Sequence, residues 1–443
     1  MTLDRSTLPL LDEALAVLEE GFARLPQVAT DVDRPAMRRV ILEAARRMQD
    51  NFPYHHPLYV GQMLKPPHPA ARIAYALATW INPNNHAIDG GRASSALEKE
   101  AVARIAEMLA WPEHLGHLCG GGTMANLEAL WVARELAPDR TVLASEQAHY
   151  THERLSGVLA VPYRTVATDA RGRMDLAALE RELARGDVGT VVATLGTTAL
   201  GSVDPLDTLL PLCRAHGVRV HVDAAYGGFF TLAANLEDDA RRAFDAVREA
   251  DSYVVDPHKH GLQPYGCGCV LFRDPGVGSV YRHDSPYTYF TSDELHLGEI
   301  SLECSRPGAA AVALWTTSRL LPYEPGGQFA RSLEACRRGA LGLHERLTAD
   351  PRFEPVLAPQ LDIVVWAVKA PTPDASSRAA RRVFEAAAEL DLHLALATVP
   401  SSITGLTEPV TCLRACVIKP EHEPWLDRIL TRLDAAAIAA GVA

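Results

Sequence analysis

The sequence predicts an α/β fold, a mostly parallel sheet between helices followed by a smaller C-terminal α+β domain. Three observations carry that expectation. From about Leu97, short apolar runs (TVLAS, VGTVVATLG, VRVHVDA, SYVVD, CGCVLF) alternate with helical segments such as LAALERELAR and PLDTLLPLCRAHG. Near-continuous apolar strands between helices belong to a parallel sheet covered on both faces. After about Pro325 the pattern changes to helices around 328–348, 376–390 and 421–440, with strands LDIVVWAV and VTCLRACVI between them. Finally, the 443 residues suffice for two to three domains of roughly 150 residues each.

The elements follow in order. The first 50 residues read as helices, for example RRVILEAARRM over 38–48. A Pro/His-rich stretch, NFPYHHPLYVGQMLKPPHP, is expected to stay irregular because its turn formers cannot sustain a helix or a strand. SALEKEAVARIAEMLAW reads as a helix opened by a capping box, with Ser95 followed three residues later by Glu98. MANLEALWVAREL is apolar around much of its circumference and is expected to be buried. No internal repeat or low-complexity linker interrupts the chain. The expected division is an N-terminal helical segment (1–60), a large domain (61–325) and a small domain (326–443).

Composition excludes several classes. Hydrophobic residues make up 48% and charged residues 22%, as in ordinary globular proteins. Forty-three Lys and Arg against 55 Asp and Glu give a formal net charge of -12, which argues against a nucleic-acid partner. No apolar run approaches the ~20 residues of a membrane-spanning helix. The opening MTLDRSTLPLLDEALAVLEE is acidic and amphipathic, without a signal-peptide core, and eight scattered cysteines make no disulfide framework. Both point to a cytoplasmic protein with reduced thiols. One count stands apart: of the 43 cations only 5 are lysines, and Lys259 lies between two histidines.

Four features could carry chemistry. Gly120-Gly121-Gly122-Thr123 immediately precedes the MANLEAL helix, and backbone amides at a helix N-terminus, unobstructed by side chains, form an anion site suited to phosphate. Alone, glycines there also make a turn. Asp223 ends the run VRVHVD, at the carboxyl end of a strand, where open α/β sheets bind ligands; a solvated strand terminus reads the same way. Ala224 and Ala225 beside it are small enough for a flat ring to lie against. His149, in ASEQAHYTHE, follows another strand end. Lys259, in VVDPHKHGLQPYGCG, has imidazoles, a proline and small residues around it rather than carboxylates. A partly desolvated lysine near other potential cations has a lowered pKa and becomes a nucleophilic amine. His258-x-His260 with Cys267-x-Cys269 hints at zinc, but one intervening residue is tighter than structural zinc spacing, and no metal is expected.

Phosphate cradle, histidine, strand-end aspartate and lysine occur in that order, and at this point the chain resembles the group II pyridoxal-phosphate (PLP) amino-acid decarboxylases of fold type I, the aspartate-aminotransferase-like superfamily. The matching segments are GGGTMANLEALWVARE, SEQAHYTHER, ATLGTTALGSVDP, HVDAAYGGF, DSYVVDPHKHGLQPYGCG and ISLECSRPGAAAVALWTTSRLL, spread from about Gly61 to Leu321. The resemblance implies a mostly parallel seven-stranded-type sheet. It implies that Lys259 forms the covalent link to PLP, that Asp223 keeps the pyridine nitrogen protonated, and that His149 stacks on one ring face with Ala225 on the other. Thr198 matches a hydroxyl near the phenolic oxygen, and Gly121, Gly122, Thr123 and His258 match phosphate contacts. Arg306 takes the place of a family arginine, although Pro307 departs from the usual motif.

The activity so implied is decarboxylation of an L-amino acid to its amine and CO2, with an aromatic, tyrosine-like substrate expected first and an acidic or diamino acid as the alternative. Rival readings are another PLP lyase or aldehyde synthase of this fold, or a degenerate paralogue acting as a binding partner. The segment 54–92 is expected to line a pocket at a homodimer interface with shared active sites. The resemblance also implies a tyrosine on the loop SVYRHDSPYTYFTSDELHLG as proton donor. Tyr287 is chosen over Tyr289 and Tyr281 because the preceding Asp284-Ser285-Pro286 best resembles the family loop.

Overall fold

The computed structural model describes residues 3–281 and 300–442, apart from positions 4, 27, 30 and 87. Eleven strands are present among the described residues: β1 Leu115–Cys119, β2 Thr141–Ser145, β3 Tyr163–Val166, β4 Val188–Thr194, β5 Arg219–Asp223, β6 Ser252–Val255, β7 Gly268–Phe272, β8 Phe353–Pro355, β9 Ile363–Val368, β10 Ala395–Val399 and β11 Val410–Cys416. The first seven form one sheet in the order β1-β7-β6-β5-β4-β2-β3. Strands β3, β2, β4, β5 and β6 pair in parallel, as expected of apolar runs joined by helices. CGCVLF is the exception, because β7 runs antiparallel to both β6 and β1. The connection 256–267 is made of turns and holds no helix, so the chain comes back beside β6 without the helical crossover that usually joins parallel neighbours. Strands β8 to β11 form a separate, wholly antiparallel sheet in the order β10-β11-β9-β8.

The helices Gly122–Leu136 and Gly308–Leu320 pack into the larger core, which explains why both are apolar around most of their surface. The helices Gln328–Ala349, Pro373–Glu389 and His422–Ala439 cover the small sheet. Leu8–Phe22 and Arg34–Arg47 form as expected but bury no residue, leaving Leu10, Val17, Phe22, Val40 and Ile41 more than half exposed.

The capping box at Ser95 is not formed. The helix starts upstream, spanning Ile88–Met108 with a break at Gly91, so Ser95 lies inside it and its hydroxyl has no hydrogen-bond partner. Glu98 is used elsewhere. Its carboxylate accepts from the Leu118 amide at 2.9 Å and from Arg306 Nη1 at 2.7 Å, and Arg306 also donates to the carbonyls of Leu118 and Asn85. Both charged side chains are almost wholly buried. Arg306 therefore ties the start of the Gly308 helix to β1, and it does not line the cavity at the strand ends.

Removing one partner of a buried pair strands the other charge, at a cost of about 3–5 kcal/mol. Arg306→Met is expected to lower stability on that scale, read from the urea midpoint at unchanged m-value.

Candidate active site

The five loops that follow β1, β2, β4, β5 and β6 meet around one cavity of about 520 Å³ at the carboxyl edge of the large sheet. The lining includes Gly120, Gly121, Gly122 and Thr123 after β1, His149 after β2, Thr198 after β4, Asp223 and Ala225 at the end of β5, and Asp256, His258 and Lys259 after β6. Every described residue singled out from the sequence for the cofactor thus reaches the same cavity. Tyr287 and Tyr289 lie outside the described residues. Tyr281 is described and is not at the site; its buried hydroxyl donates to Glu128 at 3.0 Å beneath the Gly122 helix.

The glycine run is shaped for close approach. Gly121 adopts φ +145° and ψ 177°, a conformation open essentially to glycine alone, as it caps the Gly122–Leu136 helix. Behind it, a Cβ on Gly268 of β7 would sit 2.5 Å from the Gly121 Cα. The bare glycines let neighbouring side chains come close: a Cβ on Gly122 would meet Asp256 Oδ2 at 2.8 Å, and one on Gly121 would meet His258 Cε1 at 3.2 Å. His258 thus stands beside the glycine run. Its Nδ1 donates to the Cys267 carbonyl at 2.8 Å, which leaves Nε2 toward the cavity, and burial lowers its pKa. Tyr265 stacks on it with ring centroids 4.7 Å apart.

Asp223 is 4% exposed. Its Oδ2 accepts from His152 Nε2 at 2.8 Å and its Oδ1 from the Ala225 amide at 3.1 Å. Burial alone would raise the carboxyl pKa, but the His152 hydrogen bond and charge, with the Ala225 amide, hold it well below the usual carboxylate range. His149 is half-buried, and its Nδ1 accepts from Thr151 Oγ1 at 2.7 Å, so the proton is assigned to Nε2; burial lowers its pKa.

Lys259 has a carboxylate beside it, contrary to the sequence expectation. Asp256 Oδ2 lies 3.0 Å from Lys259 Nζ and 3.5 Å from His258 Nε2, while Oδ1 has no partner. The polar turn after β6 folds back by three residues and brings the two together. Two site residues were thus missed in the sequence. Asp256 stands in DPHK one turn before the lysine. His152 stands three residues after His149, a spacing that returns to nearly the same side of the chain.

These residues fit PLP. A phosphate suits the bare amides of the glycine run with His258, a ring nitrogen suits an ionised carboxylate 4% exposed, and an aldehyde suits the amine of Lys259. His152→Leu would leave Asp223 Oδ2 without its donor. The expected loss is about 1–3 kcal/mol of stability, measured by chemical denaturation of the apoprotein, with weaker PLP binding by fluorescence titration.

The comparisons with known proteins agree with this geometry. A family model described as the pyridoxal-dependent decarboxylase conserved domain matches residues 53–369. The chain is 29% identical to a probable L-tyrosine/L-aspartate decarboxylase of Methanothermobacter thermautotrophicus, over 69% of this chain and 82% of that protein. It is 28% identical to an L-tyrosine decarboxylase of Enterococcus faecium (73% and 70%), and 32% identical to a probable L-aspartate decarboxylase of Halobacterium salinarum (73% and 85%). Among solved structures, mouse CSAD superposes with a TM-score of 0.80 at 22% identity, covering 95% of this chain and 91% of that one. Catharanthus roseus tryptophan decarboxylase gives 0.78 at 17% identity, covering 99% of both. With the family model spanning most of its length and its strand-end residues gathered around Lys259, the chain belongs to the pyridoxal-dependent decarboxylases, enzymes that remove the carboxyl group of an amino acid with the help of PLP.

Proposed function

We propose that the enzyme converts an aromatic, tyrosine-like L-amino acid to its amine and CO2. The observation that carries the substrate choice is the charge inventory of the cavity. Among its described lining residues Lys259 is the only lysine or arginine, so this part of the cavity offers the side-chain carboxylate of an acidic substrate no second cation. Tyr226, Tyr265, Met124 and His149 offer flat or apolar surface instead. The names of the relatives include an L-tyrosine decarboxylase, several probable L-tyrosine/L-aspartate decarboxylases and several probable L-aspartate decarboxylases, so they fit this reading and keep the acidic alternative in the test.

PLP supplies the electron sink for the breaking bond. The rest falls to the chain. Lys259 provides the amine that holds the cofactor and gives way to the substrate amine, and Asp256, 3.0 Å from Nζ, holds the proton of that amine when it is charged. Asp223 keeps a proton on the ring nitrogen, a task for a carboxylate that stays ionised in a buried place. His149 and Ala225 would cover the two ring faces, Thr198 would serve the phenolic oxygen, and Gly121, Gly122, Thr123 and His258 would hold the phosphate. Tyr287 donates the proton that replaces the lost carboxyl group.

The working unit in this reading is a homodimer with shared active sites. The apolar residues left exposed on the helices Leu8–Phe22 and Arg34–Arg47 support it, because neither helix buries any residue within the subunit. No described helix is long and apolar enough to cross a membrane. All eight cysteines are free thiols, seven of them buried, which supports a reducing, cytoplasmic setting.

Incubating the holoenzyme separately with each of the twenty amino acids, diaminobutyrate and ornithine, with detection of products by mass, tests the reading. Tyramine as the dominant product is expected. β-Alanine as the dominant product establishes the acidic alternative, and aldehyde with ammonia and hydrogen peroxide establishes an aldehyde synthase. Lys259→Ala should abolish turnover, and borohydride reduction of the wild type should attach the pyridoxyl group to the Lys259 peptide and to none of the other four lysines. Asp223→Asn should cost roughly 10²-fold or more in kcat, the scale of one preorganised charge acting on a developing one. Tyr287→Phe should still release CO2 but divert product from amine to aldehyde; unchanged amine formation would remove Tyr287 from the mechanism.

A further inference from the structure

A second cavity, of about 360 Å³, lies away from the strand ends, between the Lys65-Pro66-Pro67 turn, the helix beginning at Gln328 and the turn Lys419-Pro420-Glu421. Its walls include Phe329, Leu321 and Leu262, and its polar lining carries Lys65, Lys419 and Arg72. Two of the chain's five lysines thus meet in one small space. Lys419 is 1% exposed, and its Nζ donates to the Tyr59 carbonyl at 2.7 Å. Lys65 Nζ donates to the Ile418 carbonyl at 3.2 Å. An ammonium has three donors, so each keeps hydrogens that no protein group accepts.

None of the three cations makes an ion pair with a described residue. Two acids stand against the three cations: Glu421 in the lining, its Oε2 buried without a hydrogen bond, and Asp362 outside the lining, whose buried carboxyl acts on Lys65 and is pushed up to about 6 by burial, so the acids do not cover all three charges. Such an arrangement is costly as it stands. Burial, with the neighbouring Lys65, lowers the Lys419 pKa to about 7, and burial lowers that of Lys65 as well. Packing the same space with apolar side chains would avoid that cost. A negatively charged guest removes it, and the volume is within the range of small-molecule sites.

We propose that this cavity binds a small organic oxyanion, a carboxylate or a phosphate whose charge lies between Lys65 and Lys419 with Arg72 at the rim, and whose apolar body rests on Phe329, Leu321 and Leu262. The site is separate from the decarboxylase centre and does not rest on the substrate assignment. It adjoins the loop that carries the reactive lysine: Leu262 follows Lys259 by three residues, holds φ +63°, and its carbonyl accepts from the His68 amide at 2.8 Å.

Isothermal titration of the PLP-loaded enzyme with phenylacetate, inorganic phosphate and uncharged 2-phenylethanol tests it. At least one anion is expected to bind saturably while the alcohol gives no signal. Tighter phenylacetate identifies a carboxylate with an apolar body as the ligand, and equal or tighter phosphate identifies the oxyanion alone. Lys65→Met should weaken binding roughly tenfold or more, as loss of a charge-assisted hydrogen bond does. Arg72→Gln changes a partly exposed helix residue whose side chain makes no hydrogen bond to the described residues, so it should fold normally and still weaken binding several-fold. Absence of anion binding at millimolar concentration overturns the proposal. So does binding that neither substitution alters, since the anion would then sit at the glycine run or elsewhere.

Discussion

Asp223 is a carboxylate taken out of water at the carboxyl end of β5, and the neighbouring elements are arranged to keep it charged. The donor that achieves this, His152, comes from the helix after β2, and β4 lies between β2 and β5 in the sheet. One hydrogen bond therefore depends on the register of three strands. Two residues earlier on the same face of β5, His221 is also fully buried; burial lowers its pKa to about 3, so the ring is neutral and can donate on one side and accept on the other. Its Nε2 meets Asn126 of the Gly122 helix at 2.8 Å and its Nδ1 meets Ser252 of β6 at 2.9 Å. The helix that offers the anion site and the strand that offers the carboxylate are thus pinned to each other. The distance from the glycine run to the Asp223 carboxylate is set by these buried side chains and not by the loops alone.

The lysine is positioned by a different constraint. After β6 the chain turns, returns as antiparallel β7, and is stapled where the turn closes: both the His258 amide and its Nδ1 use the Cys267 carbonyl. Strand β7 then passes so close to Gly121 that only glycine fits at 268. The reversal of one strand in an otherwise parallel region is what brings the loop bearing Lys259 against the glycine run, where a Cβ on Gly122 would lie 2.8 Å from Asp256 Oδ2.

Much of this was legible in the sequence, and the losses have physical reasons. The central strands β2, β4, β5, β6 and β7 announced themselves because burial on both faces demands continuous apolar runs. Strands β1 and β3 did not, since LGHLC carries a glycine and a histidine, and YRTV is a short strand at the sheet margin. Most of the cofactor-site residues that line the cavity were found because strand ends and glycine runs have chemical signatures, but Asp256, which lines it too, was not. His152 and Asp256 act through Asp223 and Lys259, and their roles exist only once strands distant in sequence are assembled. Ser95 and Glu98 show the converse error. Their spacing satisfied a local rule, but a buried arginine 208 residues away had the stronger claim on the carboxylate.

The unequal use of cations follows the same logic. Arginine cannot lose its proton in a protein and presents a planar fork to carboxylates, so it suits permanent links. Arg306 with Glu98, Arg164 with Asp187 and Arg352 with Asp350 are of that kind, each joining separate parts of the chain or closing a turn. A lysine amine can shed its proton when desolvated. Of the five lysines, Lys99 and Lys369 are exposed, and the remaining three all line cavities. In a chain that writes 38 of its 43 cations as arginine, a lysine facing a cavity marks a place where the charge must be able to change or to meet a guest. Lys259 meets Asp256 there, whereas Lys65 and Lys419 share with Arg72 a lining whose one acid is Glu421.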